Sequence, residues 1–580
     1  MNELIAPLML LLFVTLPLLC ATAMAFSATR ATALRLAPWT ALPVLLQTVF
    51  APPTVSLKLP WLLLGSELGM VDDTSRLFLL FTALLWWLSG IYAQSYLANH
   101  SGRSRFFIYF LLAMTGNFGL ILAQDLSSFY LFFTLMSFAS YGLVVHERST
   151  EALRAGKVYI TLVVISEVML FTAMILAATA AGSVEFTAVR NVLAHAESRD
   201  LIIFLAFVGF GIKAGVLGLH LWLPLAHPVA PAPASAVLSG AMIKAGLLGW
   251  LRLLPLGEVE LISWGEVFML LGLAATFYGV AVGITQQKPK TLLAYSSVSQ
   301  MGIMTMAVGL GLLAPQAWPL ILPTIVYFAL HHALSKGALF LGAGLADSNH
   351  RLHRWIWIGQ WLPALALAGA PLSSGMFAKL LLKDNILLAP TPWDELLPML
   401  LSASSFTTAL LMARLLYLLR PTVHSPAAIP NAGLVWSWLA ALVAIILVPW
   451  LFVPAMPNLE GMHVLSSLWP VLLAGTVSLL VLRAELFRTV APVPAGDLLV
   501  LMEYGLQKLS HLCCGWIRAL SALVKVQHES KFLLVTSWMK LIKLQRCSFD
   551  WLKQSNFSDG WNTSITIFLL VGLVMAWLAE

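Results

Sequence analysis

The chain has 580 residues, of which 60% are hydrophobic and 10% charged, with a mean hydropathy of +0.88. A soluble fold of this length needs far more polar surface, so the composition excludes one and implies a polytopic membrane protein. The formal net charge of +7 would suggest nucleic acid in a soluble chain; here it serves to read orientation, and no nucleic-acid partner is expected.

An apolar helix crosses the hydrocarbon core in about 20 residues, and about fourteen to sixteen such runs follow one another. They do not alternate over about 10 residues, which excludes a transmembrane barrel. The first run, "LIAPLMLLLFVTLPLLCATAMAF", lacks a basic leader and exceeds a signal-peptide core, so it reads as a retained helix. The second reads as 33–51 and the third as 75–94. Arg30 and Arg35 follow the first span, Arg103 and Arg105 the third, and Arg148, Arg154 and Lys157 the fifth. Lys288 and Lys290, Arg351 and Arg354, and Arg420 follow later odd-numbered spans. The positive-inside rule therefore places the odd loops in the cytoplasm and the N-terminus outside, with Lys58, Arg190 and Arg199 as exceptions.

Two regions are interrupted. The stretch "GFGIKAGVLGLHLWLPLAHP" at 209–228 runs into Pro224, Pro228, Pro231 and Pro233, and 356–388 is broken at "GAPLSSG". Freed backbone groups in a membrane are tolerated only against protein or water. Each interrupted region carries a lysine, Lys213 in one and Lys379 in the other, and interrupted helices at matching places suggest an internal repeat flanking an ion path. The alternative is that Pro and Gly are simply common in membrane helices.

Lys213, Lys244, Lys336, Lys379 and Glu167 all lie inside apolar runs. Ionisable groups there are costly and mark function by default. One lysine could snorkel to an interface; four at mid-span depth fit that poorly. His220, His227, His331 and His332 lie near them, and "LLAYSSVSQMG" adds Tyr295, Ser296, Ser299 and Gln300. Lysines alternating with histidines and hydroxyls along a hydrated path make a proton relay; helix–helix hydrogen bonding is the competing role for the serines.

After Pro494 no proline recurs, and residues from about 490 to 560 mix apolar side chains with Lys, Arg and His at helical spacing. That is an interfacial amphipathic pattern, either one long helix or two shorter ones bent near "QHESK". A last span ends the chain. Cys20, Cys513, Cys514 and Cys547 have neither metal-ligand nor redox-pair spacing and are expected as free thiols. No Gly-rich phosphate loop, zinc motif or nucleophile elbow is present, so no metal and no cofactor is expected.

The blocks "GIKAGVLGLHLWLPLAHPVAPAPASAVLSGAMIKAGLLGWLR", "KTLLAYSSVSQMGIM" and "HHALSKGALFLGAG", with "DLSSFYLFFTLMSFASYGLVV" as an imperfect fourth, resemble the antiporter-like subunits. That family includes the L, M and N subunits of respiratory complex I, the large subunits of Mrp antiporters and membrane subunits of energy-converting hydrogenases. The resemblance covers about residues 70–420. It implies an all-α fold with two inverted five-helix repeats, at 101–255 and 256–420, each with a broken helix. N-terminal helices at 1–100 and further helices at 421–485 flank them. By pattern, 486–560 resembles the lateral helix of the L-type subunit, with a final span at 561–580. The resemblance implies that Lys213, Lys244, His332, Lys336 and Lys379 form the proton path.

Three departures stand out. Thr134 occupies the place of a glutamate that pairs with the Lys213-type lysine; Leu225 replaces an Asp; and "KPKT" replaces "DLKR". Glu167, in the neighbouring helix, is the candidate replacement counter-ion. The implied function is ion translocation, of protons foremost, within a larger assembly in a bacterial inner membrane. Its partners would be other membrane subunits, a peripheral redox or enzyme module, and the lipid bilayer. This chain shows no redox centre, so an NADH-quinone oxidoreductase-like or hydrogenase-like reaction would sit in a partner. A sodium/proton antiporter module and a non-conducting scaffold are the alternatives.

Overall fold

The structure is a computed structural model. It describes residues 2–500 except 51–54, 61–64, 347–351, 389–392, 394, 422–429, 453–460, 485–492 and 497. Cys513, Cys514, Cys547, the final span and most of the amphipathic segment lie outside the described residues.

Among the described residues, eleven helices are long and apolar enough to cross a membrane, and Met9–Ala23 and Ser467–Arg483 are shorter apolar helices. The sequence reading counted more spans: each broken span divides into two pieces too short to qualify alone, the first and the Ser467–Arg483 runs count among the shorter helices, and the final span lies outside the described residues. The second span begins at Ser27 rather than near 33 and passes through a 3-10 turn at Ala37–Ala41 before Leu42–Phe50. Cys20 is a buried free thiol whose Sγ donates to the Ala33 carbonyl (3.3 Å).

One element escaped the hydropathy scan. Val55–Leu59 and Ser66–Met70 pair as an antiparallel hairpin, with Lys58 opposite Glu67 at 3.8 Å. Five-residue strands are too short to register against flanking apolar runs. The hairpin is tied to the bundle through Asp125, which accepts from the Glu67 N–H (2.8 Å), and Gln124, whose side chain donates to the Gly69 carbonyl (2.9 Å). At the same end, Arg252 grips Asp72 through two bonds of 2.6 and 3.0 Å, while Asp72 caps the helix Asp73–Tyr96 with Ser75. Burial pushes the Asp72 carboxyl up, but Arg252 and Ser75 outweigh it and hold it below the usual range.

The antiparallel helices Ile262–Gly283 and Pro289–Leu313 meet along glycines spaced by seven. Gly265, Gly272 and Gly279 on the first face Gly309, Gly302 and Tyr295 on the second. A Cβ at Gly302 would lie 2.5 Å from the Gly272 carbonyl oxygen, and one at Gly309 2.7 Å from that of Gly265. Small residues let backbones approach where lipid supplies no hydrophobic drive between helices. Gly302→Leu must push backbone apart, an overpacking cost of about 1–3 kcal/mol or more. Its folded yield in detergent, read by size-exclusion chromatography, should fall several-fold; an unchanged profile would show that the seam is not close-packed.

Both expected interruptions are present. The first begins ahead of the prolines: the helix Arg199–Ala214 ends at Gly215 (φ +79°), Gly218 is also left-handed (φ +87°), and Trp222–Val229 resumes through Pro224 and Pro228 before a second interruption at Ala230 and Pro231. A left-handed C-cap requires a residue without a Cβ penalty, which glycine supplies; proline early in a helix is tolerated. The second runs His353–Ala368, turns at Gly369 (φ +82°) and resumes at Ser374–Leu388.

Candidate functional site

Lys213 lies in the last turn before the first break and is 3% exposed. Its ammonium donates to the Tyr159 hydroxyl (3.1 Å) and sits 5.6 and 5.9 Å from the ring centroids of Tyr159 and Trp222. Tyr159 in turn donates to the Ser137 carbonyl (2.8 Å). The Trp222 indole N–H takes the Ile212 carbonyl (2.7 Å), one of the acceptors that a helix end leaves open.

Glu167 is 4% exposed on the helix Thr150–Ala181. One carboxylate oxygen accepts from the Thr134 hydroxyl at 2.5 Å, and the other has no protein partner. The residue at the departed glutamate position is thus the residue that holds Glu167. Ser166 fixes this helix to the broken one through the Gly209 carbonyl (2.7 Å).

The span Ala232–Leu253 contains a π-helical turn at Leu238–Met242, immediately before Lys244. Such turns leave carbonyls without their i+4 donor and are common at functional sites. The Lys244 ammonium fills one, donating to Ser239 O (2.6 Å). The Ser239 hydroxyl meets that of Ser297 (2.7 Å), Ser297 donates to the Leu293 carbonyl (3.1 Å), and that oxygen also accepts from the Lys336 ammonium (2.7 Å). Lys244 and Lys336 are therefore joined by two serines and two carbonyls.

His331 Nδ1 bonds the Ser374 hydroxyl (2.7 Å), at the start of the second half of the second broken helix. Lys379, one turn further on, reaches back across the break to the Ala368 carbonyl (3.3 Å) and donates to Ser405 (3.1 Å). The two broken-helix lysines are thus not in equivalent places: Lys213 precedes its break and Lys379 follows its own. His332 is fully buried with neither ring nitrogen bonded to protein, and the Ser296, Ser299 and Ser335 hydroxyls are also without protein partners. His220 packs 6.3 Å from the Tyr295 ring and 5.4 Å from that of Tyr278. His227 stacks on Phe340 at 4.7 Å, and both its ring nitrogens lack a protein partner.

All five path residues expected from the sequence are buried. Among the described residues, none of the four lysines lies within 4 Å of a carboxylate. Sequence reasoning missed Tyr159, Ser239, Ser374 and Ser405. For Tyr159 a signal existed: it shares the buried 3.6-residue stripe of Val163, Ser166, Glu167 and Leu170. The Ser239 carbonyl that meets Lys244 comes from a π turn and the Ser405 hydroxyl that meets Lys379 from a remote helix, and no local pattern announces either.

Residues 123–410 match a family described as NADH:quinone oxidoreductase/Mrp antiporter, transmembrane. The chain is 31% identical over 318 residues to hydrogenase-4 component B of Escherichia coli (strain K12), covering 52% of this chain and 47% of that one. It is 29% identical over 361 residues to the putative antiporter subunit mnhA2 of Staphylococcus saprophyticus, covering 57% and 45%. The chain thus spans about half the length of these relatives. Its fold resembles a chain in the structure of the Mrp complex from Dietzia sp. DQ12-45-1b, with a TM-score of 0.66 at 18% identity, covering 99% of this chain and 63% of that one.

Proposed function

We propose that the chain, which matches the NADH:quinone oxidoreductase/Mrp antiporter family through residues 123–410, is the proton-translocating membrane subunit of a larger assembly. The observation that carries this reading is the set of four buried lysines, each bound to hydroxyls or carbonyls and, among the described residues, none to a carboxylate within 4 Å. An ammonium so placed is not neutralised by a fixed partner, so its charge is free to change with its proton. Carbonyls accept hydrogen bonds but pass no proton on; Ser239, Ser297 and water around His332, Ser296, Ser299 and Ser335 would carry the transfers. In this reading the path runs from Glu167 and Lys213 through Lys244, Lys336 and His332 to Lys379. Two inverted repeats at 101–255 and 256–420 would set its halves.

The assembly would lie in a bacterial inner membrane, with the odd loops cytoplasmic and the N-terminus outside. Other membrane subunits would flank the chain, and a peripheral redox or enzyme module would supply the driving reaction. The scaffold reading rests on the missing glutamate at Thr134; a carboxylate bonded to that threonine removes its main support.

The test uses inside-out vesicles from the native host, energised through the partner complex and followed with a pH-quenched dye. Proton uptake should develop in sodium-free medium. Uptake that requires sodium, or a preset pH gradient that collapses on addition of sodium chloride but not choline chloride, would replace this reading with sodium/proton exchange.

A further inference from the structure

Where the turn after the helix Asp73–Tyr96 meets the turn after Leu126–Val144, three side chains converge that belong to no part of the lysine path. They are His100, His146 and Glu147, each able to present one ligand atom within 4.8 Å of the others. The ring centroids of His100 and His146 are 4.9 Å apart, and His100 Nε2 lies 3.7 Å from a Glu147 oxygen. His146 is 1% exposed, and neither of its ring nitrogens has a hydrogen-bond partner. A buried imidazole carries one N–H donor and one acceptor nitrogen, and left unsatisfied that acceptor wants either a donor or a cation.

We propose that His100, His146 and Glu147 form a site for a divalent transition-metal ion of the zinc type, pinning these two turns together. Two imidazoles and one carboxylate make a ligand set suited to zinc, with an open position toward solvent on the half-exposed His100 and Glu147 side. A neutral imidazole offers one ring nitrogen to a cation, and neither nitrogen of His146 is engaged by protein.

Two features oppose the ion and set the strength of the site. Arg105 and Arg148 add positive charge, although the Arg105 guanidinium is turned to the His146 carbonyl (2.9 Å). His100 Nδ1 accepts from the Gly102 N–H (3.0 Å), which places its proton on Nε2. Metal binding at Nε2 moves that proton to Nδ1 and gives up the Gly102 bond, which lowers the affinity. The affinity should therefore be micromolar rather than that of a structural zinc site. Ligands more than forty residues apart in the sequence form no spacing motif, which is why the sequence reads as carrying no metal.

The test is titration of the purified full chain, carrying a tag without histidine, with cobalt(II) and then zinc. The wild type should show a saturable visible cobalt band at one ion per chain, displaced by zinc. His100→Ala and Glu147→Gln, both at half-exposed positions that leave packing intact, should each weaken binding at least tenfold, and the double variant should abolish the band. Absence of a saturable band overturns the site. So does one-to-one binding unchanged in both single variants, which would mark adventitious binding at other histidines. His146→Phe is the variant of the buried ligand, and the two exposed variants decide the matter if it does not fold.

Discussion

Lys213→Ala should reduce driven proton uptake in inside-out vesicles to background, a loss of about a hundredfold or more, the scale of one positioned proton-transfer group. The assembly should still form. The Lys213 ammonium makes one hydrogen bond, to Tyr159, and lies between two aromatic rings. Removing a buried charge is severe when it strands a bonded counter-charge, and among the described residues no carboxylate lies within 4 Å to be stranded. Lys213→Arg separates charge from proton exchange: a guanidinium keeps the charge but does not release its proton in proteins. It should be as inactive as the alanine variant. Normal uptake in either variant, with the full subunit set co-purifying, would remove Lys213 from the path.

Glu167→Gln should impair uptake about as strongly. The motive is geometric: Glu167 is buried, and its carboxylate is held by the hydroxyl at the position where the family places a glutamate. On this proposal the acidic group would sit on the neighbouring helix with its oxygen still beside position 134. Thr134→Glu alone should also lower activity, because it sets two carboxylates side by side in a buried site. Combined with Glu167→Gln, it should restore part of the transport, since one carboxylate then returns beside the same gap. Glu167→Gln and Lys213→Ala together should cost little more than either alone, as expected of residues that act as one unit. A fully active Glu167→Gln protein, or a double variant with no recovery, would leave Glu167 a packing role only.

Much of this was legible in the residues themselves. Apolar runs near bilayer length gave the membrane class and nearly every span, because hydropathy is a local property. Lysines inside those runs marked the candidate site and are buried, because the cost of burying a charge follows from the run around it. Glu167 stood out for the same reason. The second break fell where "GAPLSSG" put it.

What the sequence left open was decided by the rotation and depth of helices against one another. Prolines marked only the later interruption, at Ala230 and Pro231; the chain turns first at Gly215 and Gly218, where backbone conformation and not a missing N–H sets the break. Lys244 draws its partner from a π turn, and its link to Lys336 crosses to Ser297 on another helix. That Thr134 and Glu167 meet depends on the angular register of two adjacent helices. The same holds for His100 with His146 and Glu147. Composition and periodicity determined which groups must be buried. Only packing decided which atoms they find there, because a hydrogen bond needs a partner within about 3 Å and sequence distance carries no such information.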